Sequence, residues 1–165
     1  MDRSAIQDLY SHLDFVWRQI IETVAGAGED AFTRPAPGSG WPALRDCLAH
    51  IVFGYDRWIA IMTAQPMKGW ANVASALPEI DAARSLAREE IDSLLGRLSD
   101  EQLQQMREFE IDGEKMPYRC AELLTHLALH ERGHHGDVTT LFWQLGIDAD
   151  TALEYRFYLG RKPVD

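Results

Sequence analysis

The stretch Leu124-Thr125-His126-Leu127-Ala128-Leu129-His130-Glu131-Arg132-Gly133-His134-His135-Gly136-Asp137-Val138 holds four of the chain's six histidines. Within it, His130-Glu131-Arg132-Gly133-His134 reads as H-E-x-x-H. Residues four apart on a helix sit one turn above each other, so His130 and His134 can aim two imidazoles at one atom. Ala121, Leu124, Leu127, Ala128, Val138 and Leu141 recur beside them, which predicts a helix over roughly 118–145 that stops at Gly146.

Three further amphipathic patterns precede that helix. Ile6, Leu9, Leu13, Val16, Trp17, Ile20 and Val24 repeat at steps of three and four, predicting a helix over roughly 3–25 that ends in Ala25-Gly26-Ala27-Gly28. The Pro- and Gly-rich run Arg34-Pro35-Ala36-Pro37-Gly38-Ser39-Gly40 is read as a loop. A second helix is expected to start near Pro42, carry Leu44, Leu48, Ile51, Val52, Tyr55, Trp58, Ile59 and Met62 inward, and end before Pro66. A third follows Pro78 with Ile80, Ala83, Leu86, Ala87, Ile91, Leu94, Leu95 and Leu98, and Ser99-Asp100-Glu101-Gln102 signals one more short helical turn. Glu108 to Met116 alternates around Asp112-Gly113, the signature of a small hairpin. Tyr155, Phe157, Tyr158 and Leu159 mark a short packed segment or association surface at the C-terminus. Four long helices without a sustained strand pattern predict an all-α fold, a helical bundle of one domain over 1–165, and bundles build metal sites from side chains on facing helices.

Composition narrows the function. The net charge of −10 and the absence of a long Lys/Arg run argue against a nucleic-acid partner. The N-terminal residues lead straight into an amphipathic helix, with no apolar run to act as a signal or to span a bilayer, so the expected location is cytoplasmic. Cys47 and Cys120 are far apart, match no C-x-x-C pattern and lie among apolar residues, so both read as reduced core thiols.

Structural zinc sites close all four positions and lean on cysteine, whereas three protein ligands and an open position mark a catalytic site. With the cysteines badly placed, histidine must supply the ligands. His130 and His134 give two, and His50 is the best candidate for the third, because it projects at the edge of the second helix's apolar stripe. The ordinary alternative for His50 is a half-buried histidine bonded locally, and for the pair a solvated polar stripe. His126 is assigned to a supporting or packing role and His135 to the surface, while His12 has no partner in the sequence. Trp41 and Trp58 could line a ligand cavity near His50, although Trp17, Trp58 and Trp143 sit at spacings more usual for core packing.

The pairing of Gly40-Trp41-Pro42 and Leu44-Arg45-Asp46-Cys47-Leu48-Ala49-His50-Ile51 with the histidine stretch, then Leu145-Gly146, resembles the DinB-like family, which is unrelated to the DNA polymerase of similar name. The resemblance implies a four-helix bundle of up-down-down-up connectivity, commonly dimeric, holding a divalent metal, zinc or nickel, through His50, His130 and His134. At His135 many members carry arginine, and at Asp137 glutamine is frequent. The family is also similar to transferases and isomerases that use low-molecular-weight thiols, which implies a thiol cofactor and a small-molecule substrate; an open metal site can lower a thiol's pKa. Two other functions compete. The H-E-x-x-H motif also fits a zinc metallopeptidase with Glu131 as general base and Glu154 as third ligand, but such enzymes bind substrate along an edge strand, and nothing upstream reads as a sustained sheet. The third reading is a non-enzymatic module that binds metal or a small ligand.

Overall fold

The computed structural model describes residues 1–73, 75–149 and 153–160. Among them the chain is mainly helical with one small antiparallel sheet. Helix α1 (Arg3–Thr33) is capped by the Asp2 carboxylate, which accepts the Ala5 N–H at 2.8 Å. Its stripe of Ile6, Tyr10, Leu13, Val16, Trp17, Ile20 and Val24 is buried. The helix runs past its expected end: Gly26 stays helical, and the break comes at Gly28, whose φ of 86° suits a residue without Cβ. The chain then resumes the helix because Ala31 and Phe32 find a place in the core.

Helix α2 (Leu44–Thr63) buries Leu44, Cys47, Leu48, Ile51, Val52, Tyr55, Ile59 and Met62, and stops at Ala64 in the left-handed region. Its Asp56, 2% exposed, accepts the N–H groups of Lys68 (2.7 Å), Gly69 (2.6 Å) and Trp70 (3.1 Å). That one carboxylate draws the following loop back and caps the single turn α3 (Trp70–Val73). Helix α4 (Leu77–Arg97) carries Pro78 in its first turn, with Glu79 reaching back to the Ser75 and Ala76 N–H groups at 2.9 and 3.0 Å. Leu86, read as part of its inward stripe, instead faces solvent at 50% exposure, and Arg84 takes a buried place. Ser99 and Gln102 cap the short α5 (Asp100–Gln104) reciprocally.

The expected hairpin forms from β1 (Met106–Ile111) and β2 (Glu114–Arg119), paired from Met106↔Arg119 to Ile111↔Glu114. Asp112 and Gly113 both take positive φ, 54° and 83°, as a two-residue turn between right-twisted strands requires. β2 claims residues up to Arg119, so helix α6 spans Cys120–Leu145, beginning slightly later than periodicity alone suggests. Gly146 ends it at φ 70°, and the Ile147 N–H closes on the Phe142 carbonyl at 2.9 Å.

α6 packs against both α1 and α2, and α2 also packs against α4. The Tyr10 hydroxyl, donating to the Leu124 carbonyl at 2.9 Å, ties α1 to the middle of this arrangement. Both cysteines are buried and free. Trp17 is in the core at 4% exposure, but Trp143, at 80%, is not: it lies on the face of α6 that no described element covers. At the C-terminus α7 (Tyr155–Leu159) lies along α1, with the Tyr155 ring edge-on to His12 at 5.2 Å and Phe157 left 41% exposed. The rest of that stretch, 150–152 and 161–165, is outside the described residues.

Candidate metal centre

His50 comes from the first turns of α2, and His130 and His134 from successive turns of α6. The structure brings their ring tips together: His130 Nε2 lies 3.3 Å from His50 Nε2 and 3.2 Å from His134 Nε2. A tetrahedral site with metal–nitrogen bonds of about 2.0–2.1 Å has ligand atoms roughly 3.3 Å apart. The trio is therefore compatible with a divalent metal.

The tautomer of His134 supports the fit. His134 Nδ1 is 2.9 Å from Asp137 Oδ2, and since a carboxylate only accepts, that nitrogen carries the proton and Nε2 presents its lone pair to the centre. Asp137 Oδ2 also accepts the Trp41 indole N–H at 3.0 Å. Burial, reinforced by His134, His50 and His126 nearby, pushes the His130 imidazole down to about 4, and burial followed by His134 also lowers His50. His130 and His50 thus resist protonation, which leaves their lone pairs free for a divalent ion to share.

His130 fits only because residue 54 is glycine. A Cβ at Gly54 would stand 2.6 Å from His130 Cε1 and 3.0 Å from Nδ1. Gly54→Ala is expected to leave the metal-free fold close to wild-type stability, since alanine improves helix propensity by about 1 kcal/mol, while the displaced imidazole weakens metal binding by roughly tenfold or more. Competition with a chromophoric chelator measures this, and an unchanged affinity would show that the ring position is not critical.

The loop 34–42 forms the outer wall. Gly38 and Gly40 take positive φ of 85° and 83°, and Trp41 donates its N–H to Ser39 Oγ at 3.1 Å. This folds Trp41 over the histidines, 5.1 Å from the His50 ring and 5.3 Å from His134. Phe53, 39% exposed, stacks with the His50 ring at 6.1 Å. Trp58 turns instead to His126, 4.6 Å away and edge-on, and His126 itself is exposed.

One expectation is corrected here, and one competing reading loses its support. His135 is not at the surface but fully buried, 3.2 Å from Glu131. Glu131 is no general base at this centre: it is 0% exposed and its carboxylate is occupied by Arg84 and by the Tyr55 hydroxyl. Glu154 is exposed and paired with Arg156 at 2.6 Å, and it belongs to neither metal-compatible cluster among the described residues. The second such cluster, Cys47, His134 and Asp137, adjoins the first. Burial, with the Asp137 charge, pushes the Cys47 thiol up to about 12, so it remains a thiol packed behind His134. Sequence reasoning overlooked Asp137 as a partner of His134, although its i+3 spacing was the available signal, and it overlooked the need for glycine at 54.

A helical protein with three converging imidazoles, one of them oriented by a carboxylate, defines the class. The chain belongs to the DinB family, whose model matches residues 1–160. A search of curated proteins gives no match.

Proposed function

We propose that the chain binds zinc or nickel at His50, His130 and His134 and uses it to activate a low-molecular-weight thiol for transfer to, or isomerisation of, a small-molecule substrate. The observation that carries this reading is the convergence of three Nε2 atoms from half-buried rings. A divalent ion held by neutral imidazoles keeps its charge and, when bound, favours a thiolate over the thiol. Asp137 orients His134 through Nδ1, and Trp41 and Phe53 give apolar surface beside His50 for the substrate body. The reading includes a cytoplasmic homodimer without nucleic-acid or membrane partners. The net charge of −10 supports excluding nucleic acid, and no helix among the described residues is long and apolar enough to cross a membrane.

The test is incubation of metal-loaded protein with bacillithiol, mycothiol or glutathione and the electrophile monochlorobimane. Fluorescent adduct should form at a rate that depends on metal and disappears on chelation. Metal uptake without turnover of any thiol would end the enzyme reading and leave a metal-binding module.

A further inference from the structure

Glu131 and His135 each follow a candidate ligand by one residue, so they point about 100° further round α6. That rotation takes both into the core, where each is 0% exposed. On α2, Tyr55 follows Gly54 in the same way. The seam between α2 and α6 therefore carries two neighbouring pairs: Gly54 against His130, and Tyr55 against Glu131.

The second pair is the hub of a buried network. The Tyr55 hydroxyl donates to Glu131 Oε2. From α4, Arg84 donates through Nε and Nη2 to Oε1 at 3.2 and 3.0 Å, and through Nη2 to Oε2 at 3.2 Å. Arg84 Nη1 reaches Asp14 of α1, which also takes Arg88 Nε at 3.0 Å. His135 Nε2 stands 3.2 Å from Glu131 Oε1 without hydrogen-bond direction. One carboxylate on α6 thus gathers a hydroxyl from α2, a guanidinium from α4 and, through it, an acid from α1.

Buried ion pairs are a weak source of net stability, because apolar side chains of equal volume often serve as well. Directed bonds, however, specify angle, and a functional site must hold its groups to about 0.5 Å and 10–20°. Two of the three candidate ligands ride on α6 and the third on α2, so any rotation between these helices opens or closes the gap between His50 and His130. Hydrophobic burial is non-directional, so directed hydrogen bonds add an angular restraint to the one that packing supplies.

We infer that Glu131 is a positioning residue for the metal centre: by holding Tyr55 and Arg84 it fixes the rotation of α6 against α2, and with it the spacing of His50 from His130 and His134. This rests on the metal-centre reading above. The glutamate of the H-E-x-x-H sequence acts here from the back of the helix, through the fold.

The test compares wild type with Tyr55→Phe, Glu131→Gln and Leu95→Ala. Leu95 is fully buried on α4, about three turns beyond Arg84, and serves as a control for loss of core packing. Zn2+ affinity is read by chelator competition and site geometry by the visible ligand-field spectrum of the Co2+-loaded protein. Tyr55→Phe and Glu131→Gln should weaken Zn2+ binding about tenfold or more and alter the Co2+ spectrum, whereas Leu95→Ala should lower Tm and leave both unchanged. Wild-type affinity and spectrum in Tyr55→Phe would overturn the inference, as would an equal loss of affinity in Leu95→Ala. Should Glu131→Gln fail to fold, Tyr55→Phe, which deletes a single oxygen atom, decides the matter alone. Wild-type protein that takes up neither ion would remove the centre itself, an outcome distinct from a centre that binds but ignores Tyr55.

Discussion

Protein carrying His130→Ala is expected to emerge from tag-free purification with divalent metal near background, against close to one ion per chain in wild type. His130 holds the middle of the trio, 3.3 Å from His50 and 3.2 Å from His134, so its loss leaves two ring nitrogens with no third. Loss of a group that merely supports a ligand costs about 10–100-fold in affinity, and loss of a ligand itself should exceed the upper end of that range. His50→Ala and His134→Ala should behave alike. His126→Ala and Glu154→Ala, both at exposed positions, should retain metal. Elemental analysis of the purified variants checks the pattern; full occupancy without His50, or metal loss in Glu154→Ala, would show that the ligand set is wrong.

Arg84→Met is expected to destabilise the protein by about 3–5 kcal/mol near neutral pH, the usual cost of stranding one member of a buried ion pair. Arg84 is 4% exposed and Glu131 0%, so the substitution strands a carboxylate that lies out of solvent. The pH dependence gives the sign. In wild type, burial raises the Glu131 carboxyl, but Arg84, His135 and Tyr55 outweigh it and hold the group at about 2, below its ordinary 4.5. A carboxyl with a lowered folded pKa adds stability above its unfolded value and loses it as pH falls, here between about 4.5 and 2. Without Arg84 the buried carboxylate favours protonation, so the deficit of Arg84→Met relative to wild type should shrink as the solution is acidified. Denaturant melts at several pH values measure both curves. A deficit that grows on acidification would mean that Arg84 does not hold the carboxylate.

The parts of this structure that were legible in the sequence are those written into neighbouring residues. The periodicity of α6, its stop at Gly146, the cap at Ser99 and Gln102 and the turn at Asp112-Gly113 are all local, and each appears where local chemistry puts it. The i, i+4 pair His130 and His134 was visible for the same reason. The angle of His50 on α2 marks it as a candidate, although nothing local states its distance from a residue 80 positions away. Contacts between helices leave no period. Arg84 and Glu131 lie 47 residues apart, so a glutamate enclosed by the two histidines of an H-E-x-x-H sequence invites a catalytic reading, and His135, one turn further on, reads as a surface residue. Trp143 shows the converse failure. Its spacing fits a buried stripe, and only the packing of α1 and α2 on α6 reveals which side of the helix stays open.

The division of the trio between helices also has a topological consequence. His130 and His134 need only their own helix, but His50 joins them across an 80-residue separation in the chain. An ion gripped by all three acts as a reversible cross-link closing that long loop, and loop-closing links restrict the unfolded chain the more residues they enclose. Such a link requires α2 to be docked on α6, so a metal that binds as proposed would pull the population toward the assembled state by mass action. On the proposed metal binding, metal supply would then govern how much of the chain is assembled as well as what it can do.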